Sequence, residues 1–158
     1  MIGHSKPDGS DPVGSQIEKC IMMMASPSKV FWCGKLGTGL AAKISNNYIS
    51  CSVLCLIAEA MAIGVRSGVD KKVLQELVHN SSGQTFMGDI VNNTPKSLLF
   101  GCNGFPVYLM VKDVTLGVEA GKQTGVNPRM AEKALEIWKE AQQDMAVIYN
   151  DGIFASDS

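Results

Sequence analysis

Histidine is scarce in this chain: 158 residues hold only His4 and His79. No CxxC pair occurs either, although there are five cysteines, Cys20, Cys33, Cys51, Cys55 and Cys102. Zinc sites draw on Cys and His clustered at short spacings, so no metal site is expected. The cysteines are odd in number and scattered, with Cys51 and Cys55 one turn apart in a helical pattern. Buried free thiols in a reducing compartment fit them best. Charge is sparse too: 14 Lys and Arg against 15 Asp and Glu leave a net charge of −1, and charged residues make up 18% of the chain. Phosphate binding needs clustered basic side chains, so nucleic acid is not expected as a partner. Neither an apolar signal core nor an Arg-rich amphipathic segment stands at the N-terminus, and no export or transit peptide is read there.

Extended structure is equally scarce. Val30–Cys33 (VFWC) is β-branched and aromatic and ends at Gly34, which makes it the one convincing strand candidate. Residues 1–15 are rich in Gly, Pro, Ser and Asp and read as a disordered tail. Ile17–Ala25 is a short apolar patch cut off by Pro27, so residues 1–29 as a whole read as a flexible or atypical segment. What remains is helical. The pattern predicts one long apolar helix from Leu40 to about Arg66, then Lys71–His79 capped by Asp70, and a short helix over 84–91. Two further helices follow, one entered at Pro106 and running to about Gln123, the other opened by Pro128 and running to about Ile148. The expected fold is therefore an all-α domain over 30–148, built on one long central helix, with a short extended lead-in and a tail at 149–158. The length suits one domain with a real core. Hydrophobic residues at 46% of so charge-poor a chain suggest a partner domain or a homo-oligomer formed through the long helix.

The densest cluster of chemistry is Gly37–Asn47, GTGLAAKISNN. Lys43 and Asn47 stand four residues apart at a helix start, so both project from one face. GTGLAA also fits the GxGxxG/A dinucleotide fingerprint. That site, however, requires a second strand bearing an acid about 20 residues on, and the acid near that distance, Glu59, lies in an unbroken helical run. Tyr48–Val65 is almost apolar enough to span a membrane. Glu59 is costly in hydrocarbon and no basic flanks mark the ends, so the segment reads as a core helix buried on all sides, and no membrane partner is expected.

At GTGLAAKISNN the chain resembles the β-hydroxyacid dehydrogenases, in particular their 3-hydroxyisobutyrate dehydrogenase branch, which carry GxGxxxKxxNN at the head of the long helix leading into an all-helical C-terminal domain. Asn80–Asp89, NSSGQTFMGD, is similar to the family's NxSSGRxWxxD, with Phe86 at the aromatic position. Phe105–Asp113, FPVYLMVKD, is similar to FxxxLMxKD. The resemblance covers about Val30 to Ala141 and implies a 6-phosphogluconate-dehydrogenase-like C-terminal helical domain. By position, Lys43 matches the catalytic lysine, Asn47 the substrate-holding asparagine, and Lys112 the lysine that reaches the nicotinamide cofactor. Phe105 and Asp113 match residues flanking the same cleft, and Gly39 lies where substrate must approach closely. The implied substrate is a small 3-hydroxy acid oxidised to its semialdehyde. The implied cofactor is NAD, or NADP, with most of its binding site outside this chain. The location implied is intracellular: mitochondrial in a eukaryote, otherwise cytoplasmic.

Elementary chemistry is compatible with those roles. Oxidising an alcohol means removing its hydroxyl proton as hydride leaves carbon, and a lysine does this only if its pKa falls from about 10.4 towards neutrality. Burial or a second cation would lower it, and Lys112 is the candidate cation. An amide such as Asn47 can donate to a substrate oxygen and accept from a hydroxyl. Plainer readings stand beside these: Lys43 as a solvated helix-start lysine, Asn47 as a surface amide, Lys112–Asp113 as a surface pair, Phe105 as a core residue, Ser81 and Ser82 as turn residues. No strand–GxGxxG–helix unit precedes Val30, so little turnover is expected of the chain alone. A non-enzymatic dimerisation or interaction module is the alternative.

Overall fold

The structure, a computed structural model, describes residues 1–93 and 106–150, with side chains described as far as 90 and from 106 to 144. Among the described residues there are six α-helices and no strand: α1 (Pro12–Met24), α2 (Thr38–Arg66), α3 (Lys71–His79), α4 (Phe86–Asn93), α5 (Val107–Gln123) and α6 (Arg129–Asn150). The all-α expectation holds, including the long helix and the helix starts at Asp70, Pro106 and Pro128. The chain divides into two compact units, Met1–Asn46 and Asn47–Ser158, and α2 begins in the first and continues in the second.

In the first unit, a helix occupies much of the stretch expected to be tail and apolar patch. Asp11 starts it: its Oδ1 accepts from the Val13 amide at 3.0 Å, and Pro12 stands at the first helical position, where an N–H has no partner to lose. The expected strand Val30–Cys33 is reduced to a single parallel bridge between Ile2 and Trp32. Ile2 N–H donates to the Phe31 carbonyl and Cys33 N–H to the Ile2 carbonyl, both at 2.8 Å. Two parallel extended segments joined through a helix have the connectivity of a βαβ unit, here one bridge followed by a bond from the Gly34 N–H to the His4 carbonyl at 3.3 Å. The path from Trp32 into α2 turns at Gly34 (φ 98°) and Gly37 (φ 91°), a left-handed conformation that glycine adopts without Cβ strain.

The core belongs to the second unit. Cys51 and Cys55 of α2, Met110, Val114 and Val118 of α5, and Ala131 and Ala134 of α6 are buried together, with Tyr48, Leu54, Leu135, Ile137 and Trp138 packed around them. Spacings of four on α2, four on α5 and three on α6 put each set on one helical face. Small residues let the helices approach: a Cβ on Gly117 would touch Tyr48 at 3.4 Å, and one on Gly121 would lie 2.9 Å from Pro128. The Trp138 indole N–H donates to the Cys51 carbonyl at 3.2 Å, fixing α6 to α2. Asp70 caps α3 as expected, accepting from the Lys72 and Val73 amides at 2.9 and 3.2 Å.

One expectation fails. Helix α2 is not buried all round: only 17% of its most apolar window is buried, and Ile49, Leu56, Ile63 and Val65 are exposed. The physical reason is that α5 and α6 share a core with only the Cys51–Cys55 face of this helix. By length and composition α2, with a mean hydropathy of 1.9, would suffice to cross a membrane. Glu59 stands within it, exposed.

Candidate functional site

Of the residues singled out from the sequence, Asn47, Lys112 and Asp113 are brought together by contacts in the second unit. Asn47 projects from α2 and is half-buried. Its Nδ2 donates to Asp113 Oδ2 at 2.7 Å. The other oxygen, Asp113 Oδ1, pairs with Lys112 Nζ at 3.1 Å. Asp113 is only 5% exposed, and a buried carboxylate is tolerable where hydrogen bonds and a counter-charge satisfy it. Helix α5 sets this arrangement locally: Met110, Val114 and Val118 face the core, and Asp113, next to Val114, faces inward with them. Lys112, one position earlier, carries its ammonium out to solvent with the side chain about half exposed.

Lys43 stands on α2 one turn before Asn47, in the exposed part of the helix. Nothing in the described residues buries it, contrary to what its expected chemistry requires. Gly39 is buried, but the space left by its missing Cβ is taken by the chain's own N-terminal backbone. A Cβ there would lie 2.6 Å from the Gly3 nitrogen and 3.0 Å from the Ile2 carbonyl carbon. The expected close approach of substrate at Gly39 is thus a close approach of Met1–Gly3. Phe105 lies outside the described residues. Phe86, the aromatic of the second motif, is 74% exposed, and Ser81 forms a turn, its carbonyl accepting from the Gln84 amide at 3.0 Å.

A second polar cluster was not anticipated. Asp89 of α4 is held by His79 Nδ1 at 2.7 Å and by Gln84 Nε2 at 2.8 Å. The hydrogen bond from His79, then that from Gln84, holds the Asp89 carboxyl below its usual range. Gln84 and Asp89 belong to the second motif, and only the spacing of ten residues between His79 and Asp89 hid the pair. No group of three or more Cys, His, Asp and Glu among the described residues is arranged to hold a metal.

The site's chemistry follows from its donors. An ammonium has three N–H groups. Asp113 takes one from Lys112, which leaves donors suited to anionic or carbonyl oxygens. Asn47 supplies an amide beside it.

Comparison with known proteins agrees with these motifs. Residues 37–148 match the family model described as "NAD-binding of NADP-dependent 3-hydroxyisobutyrate dehydrogenase". The mitochondrial 3-hydroxyisobutyrate dehydrogenase of Mus musculus is 34% identical over 119 residues, covering 71% of this chain and 35% of the mouse protein. An NAD-dependent L-serine dehydrogenase of Pseudomonas aeruginosa is 32% identical over 132 residues, 75% of this chain and 44% of that protein. The fold is similar to that of Mycobacterium tuberculosis 3-hydroxyisobutyrate dehydrogenase solved with L-serine. There the TM-score is 0.70 at 24% identity, covering 86% of this chain and 48% of that one. The chain thus spans between about a third and somewhat under half of the length of the curated relatives named, and the matching family implies an NAD(P) cofactor. With the lysine and asparagine motif, the NSSGQTF stretch and the Lys112–Asp113 pair all inside or bordering the matched span, the chain belongs to the NAD-binding 3-hydroxyisobutyrate dehydrogenase family.

Proposed function

We propose that this chain is the substrate-binding and catalytic-lysine portion of an NAD(P)-dependent dehydrogenase that oxidises a small 3-hydroxy acid to its semialdehyde. The observation that carries the reading is the contact from Asn47 to Asp113 and on to Lys112. It joins the first and third family motifs, 66 residues apart, into one polar cluster on the face of a helical core. In this reading Asn47 holds the substrate and Lys112 meets the nicotinamide cofactor. Lys43 takes the hydroxyl proton and returns it in the reverse direction. The bound cofactor supplies the hydride acceptor.

A lysine serves as a base near neutrality only when it is desolvated or set beside a cation. Lys43 is exposed in this chain, so the bound substrate and a nucleotide domain have to cover it during turnover. Positioning of cofactor against substrate supplies much of the catalysis in such enzymes, and the chain alone is expected to turn over little. Both 3-hydroxyisobutyrate and L-serine, the molecules named with the relatives, carry a primary alcohol β to a carboxylate, and either suits this donor set. The exposed apolar face of α2 supports self-association through that helix. The eukaryotic relatives favour a mitochondrial location in a eukaryotic cell.

The test is binding, read by isotope-edited NMR on the labelled chain titrated with 3-hydroxyisobutyrate and, separately, L-serine, with and without NAD or NADP. Saturable shifts at Lys43 and Asn47 are expected, with loss in Asn47→Ala. No saturable response to either acid, under any cofactor condition, would leave the interaction-module reading in its place.

A further inference from the structure

We infer that Asp113 is a positioning residue which selects one of the two orientations of the Asn47 amide and fixes Lys112 beside it, coupling the proposed substrate-holding group to the proposed cofactor-facing one. The inference rests on the enzyme reading for its consequence in binding, but not for the coupling itself.

The argument starts from what a carboxylate can do. Ionised, it accepts and cannot donate. Asn47 approaches it at 2.7 Å, and at that distance only the NH2 end of the amide is tolerated. Rotating the amide by half a turn would set two acceptor oxygens against each other in a buried place. Hydrogen bonds to an ionised acceptor are about twice as strong as neutral ones, so the preference is decisive. Asp113 is also held in place from its other oxygen: Lys112 lies 3.1 Å from Oδ1, and Val114, the next residue of α5, is fully buried. A buried carboxylate with both oxygens occupied cannot swing to follow a mobile partner. Asn47 on α2 and Lys112 on α5 therefore take their positions from one rigid group. The sequence match placed Asp113 at the edge of a cleft, as a residue facing substrate. The geometry instead has both its oxygens engaged by protein, so it acts through Asn47 and Lys112.

Asp113→Asn is the discriminating substitution, because it preserves shape while allowing either amide orientation opposite Asn47. In the labelled chain the Asn47 side-chain amide, assigned by its loss in Asn47→Ala, and the Lys112 side-chain methylene signals are compared between wild type and variants. Asn47→Ala is expected to move the Lys112 signals and Lys112→Ala the Asn47 amide signals, because each reaches the other through Asp113. In Asp113→Asn that cross-perturbation is lost, and the affinity for 3-hydroxyisobutyrate falls by about tenfold, the loss expected for one charge-assisted hydrogen bond. Lys112 signals unmoved by Asn47→Ala, with Asn47 amide signals unmoved by Lys112→Ala, would overturn the coupling, and this readout does not depend on Asp113→Asn folding. Unchanged affinity in a folded Asp113→Asn chain would overturn its role in binding. Absence of any hydroxy-acid binding to the wild type would defeat the enzyme reading, while the cross-perturbation would still support the coupling.

Discussion

At the scale of single residues, burial makes one thiol of α2 chemically quiet. Cys51 is 4% exposed and its Sγ lies 3.6 Å from Met110 Sδ. Burial first, then the negative charge of Asp113 and the neighbouring Cys55, push its thiol up to about 11. At pH 8 only about one such thiol in a thousand is ionised, and the thiolate is the reactive species. Cys20, by contrast, is exposed. Brief treatment of the native chain with iodoacetamide at pH 8, read by peptide mass spectrometry, should label Cys20 and spare Cys51. Equal labelling would contradict the packing of α2 on α5. The same shift has a pH consequence. A thiol whose folded value is raised contributes stability that is complete below its ordinary value near 9 and is lost as pH rises towards 11, so the denaturation midpoint of the second unit should fall over that interval. For Asp89 the sign reverses. Its lowered carboxyl favours the fold above the ordinary carboxylate value of about 4 and ceases to do so as pH drops through its depressed value, loosening the tie between α3 and α4 in acid.

At the scale of elements, helix packing decides which glycines can be replaced. A methyl group at Gly117 would rest at 3.4 Å from Tyr48, ordinary contact, whereas at Gly121 it would meet the Pro128 ring at 2.9 and 3.1 Å. The ring cannot yield as a flexible side chain can, and overpacking costs typically about 1–3 kcal/mol. Alanine in place of a mid-helix glycine gains up to about 1 kcal/mol. Gly117→Ala is therefore expected to be neutral or stabilising and Gly121→Ala destabilising, as urea midpoints would show; the reverse order would mean that the α5–α6 junction is misplaced. The legibility of these elements varied for physical reasons. Helices α2, α3, α5 and α6 announced themselves through caps, prolines and apolar spacing, all local signals. The Asp11–Pro12 start of α1 was an equally local signal, obscured by the glycine- and serine-rich residues around it. Nothing local could show that Ile2 pairs with Trp32, since a single bridge leaves no alternating run. Nor could spacing show that Asp113 would serve Asn47 from another helix. Lys43 and Asn47 were legible as a pair because four residues of helix suffice to align them. The exposure of Lys43 depends on what packs over α2, which local spacing does not encode.

At the scale of the whole molecule, the two compact units differ in what holds them. The buried apolar core, from Cys51 to Ala134, lies in Asn47–Ser158. In Met1–Asn46 the buried residues are Gly14 and Gly39, and the bridge at Trp32 rests on a pair of backbone hydrogen bonds. Stability comes chiefly from buried apolar area, at roughly 25 cal/mol per Å², so the first unit has little of its own to resist unfolding. Regions with few buried contacts open well below the global unfolding free energy. Each unit carries one of the chain's two tryptophans, Trp32 in the first and Trp138 in the second, and each therefore has its own reporter. Trp138 packs against the core with its indole N–H bonded to the Cys51 carbonyl, so its fluorescence follows the α2–α5–α6 assembly. In urea, Trp32→Phe (reporting Trp138) should show one steep late transition. Trp138→Phe (reporting Trp32) should show an earlier and shallower one, because the slope scales with the surface exposed. Coincident midpoints for the two variants would mean that Met1–Asn46 unfolds together with the helical core and is stabilised by it.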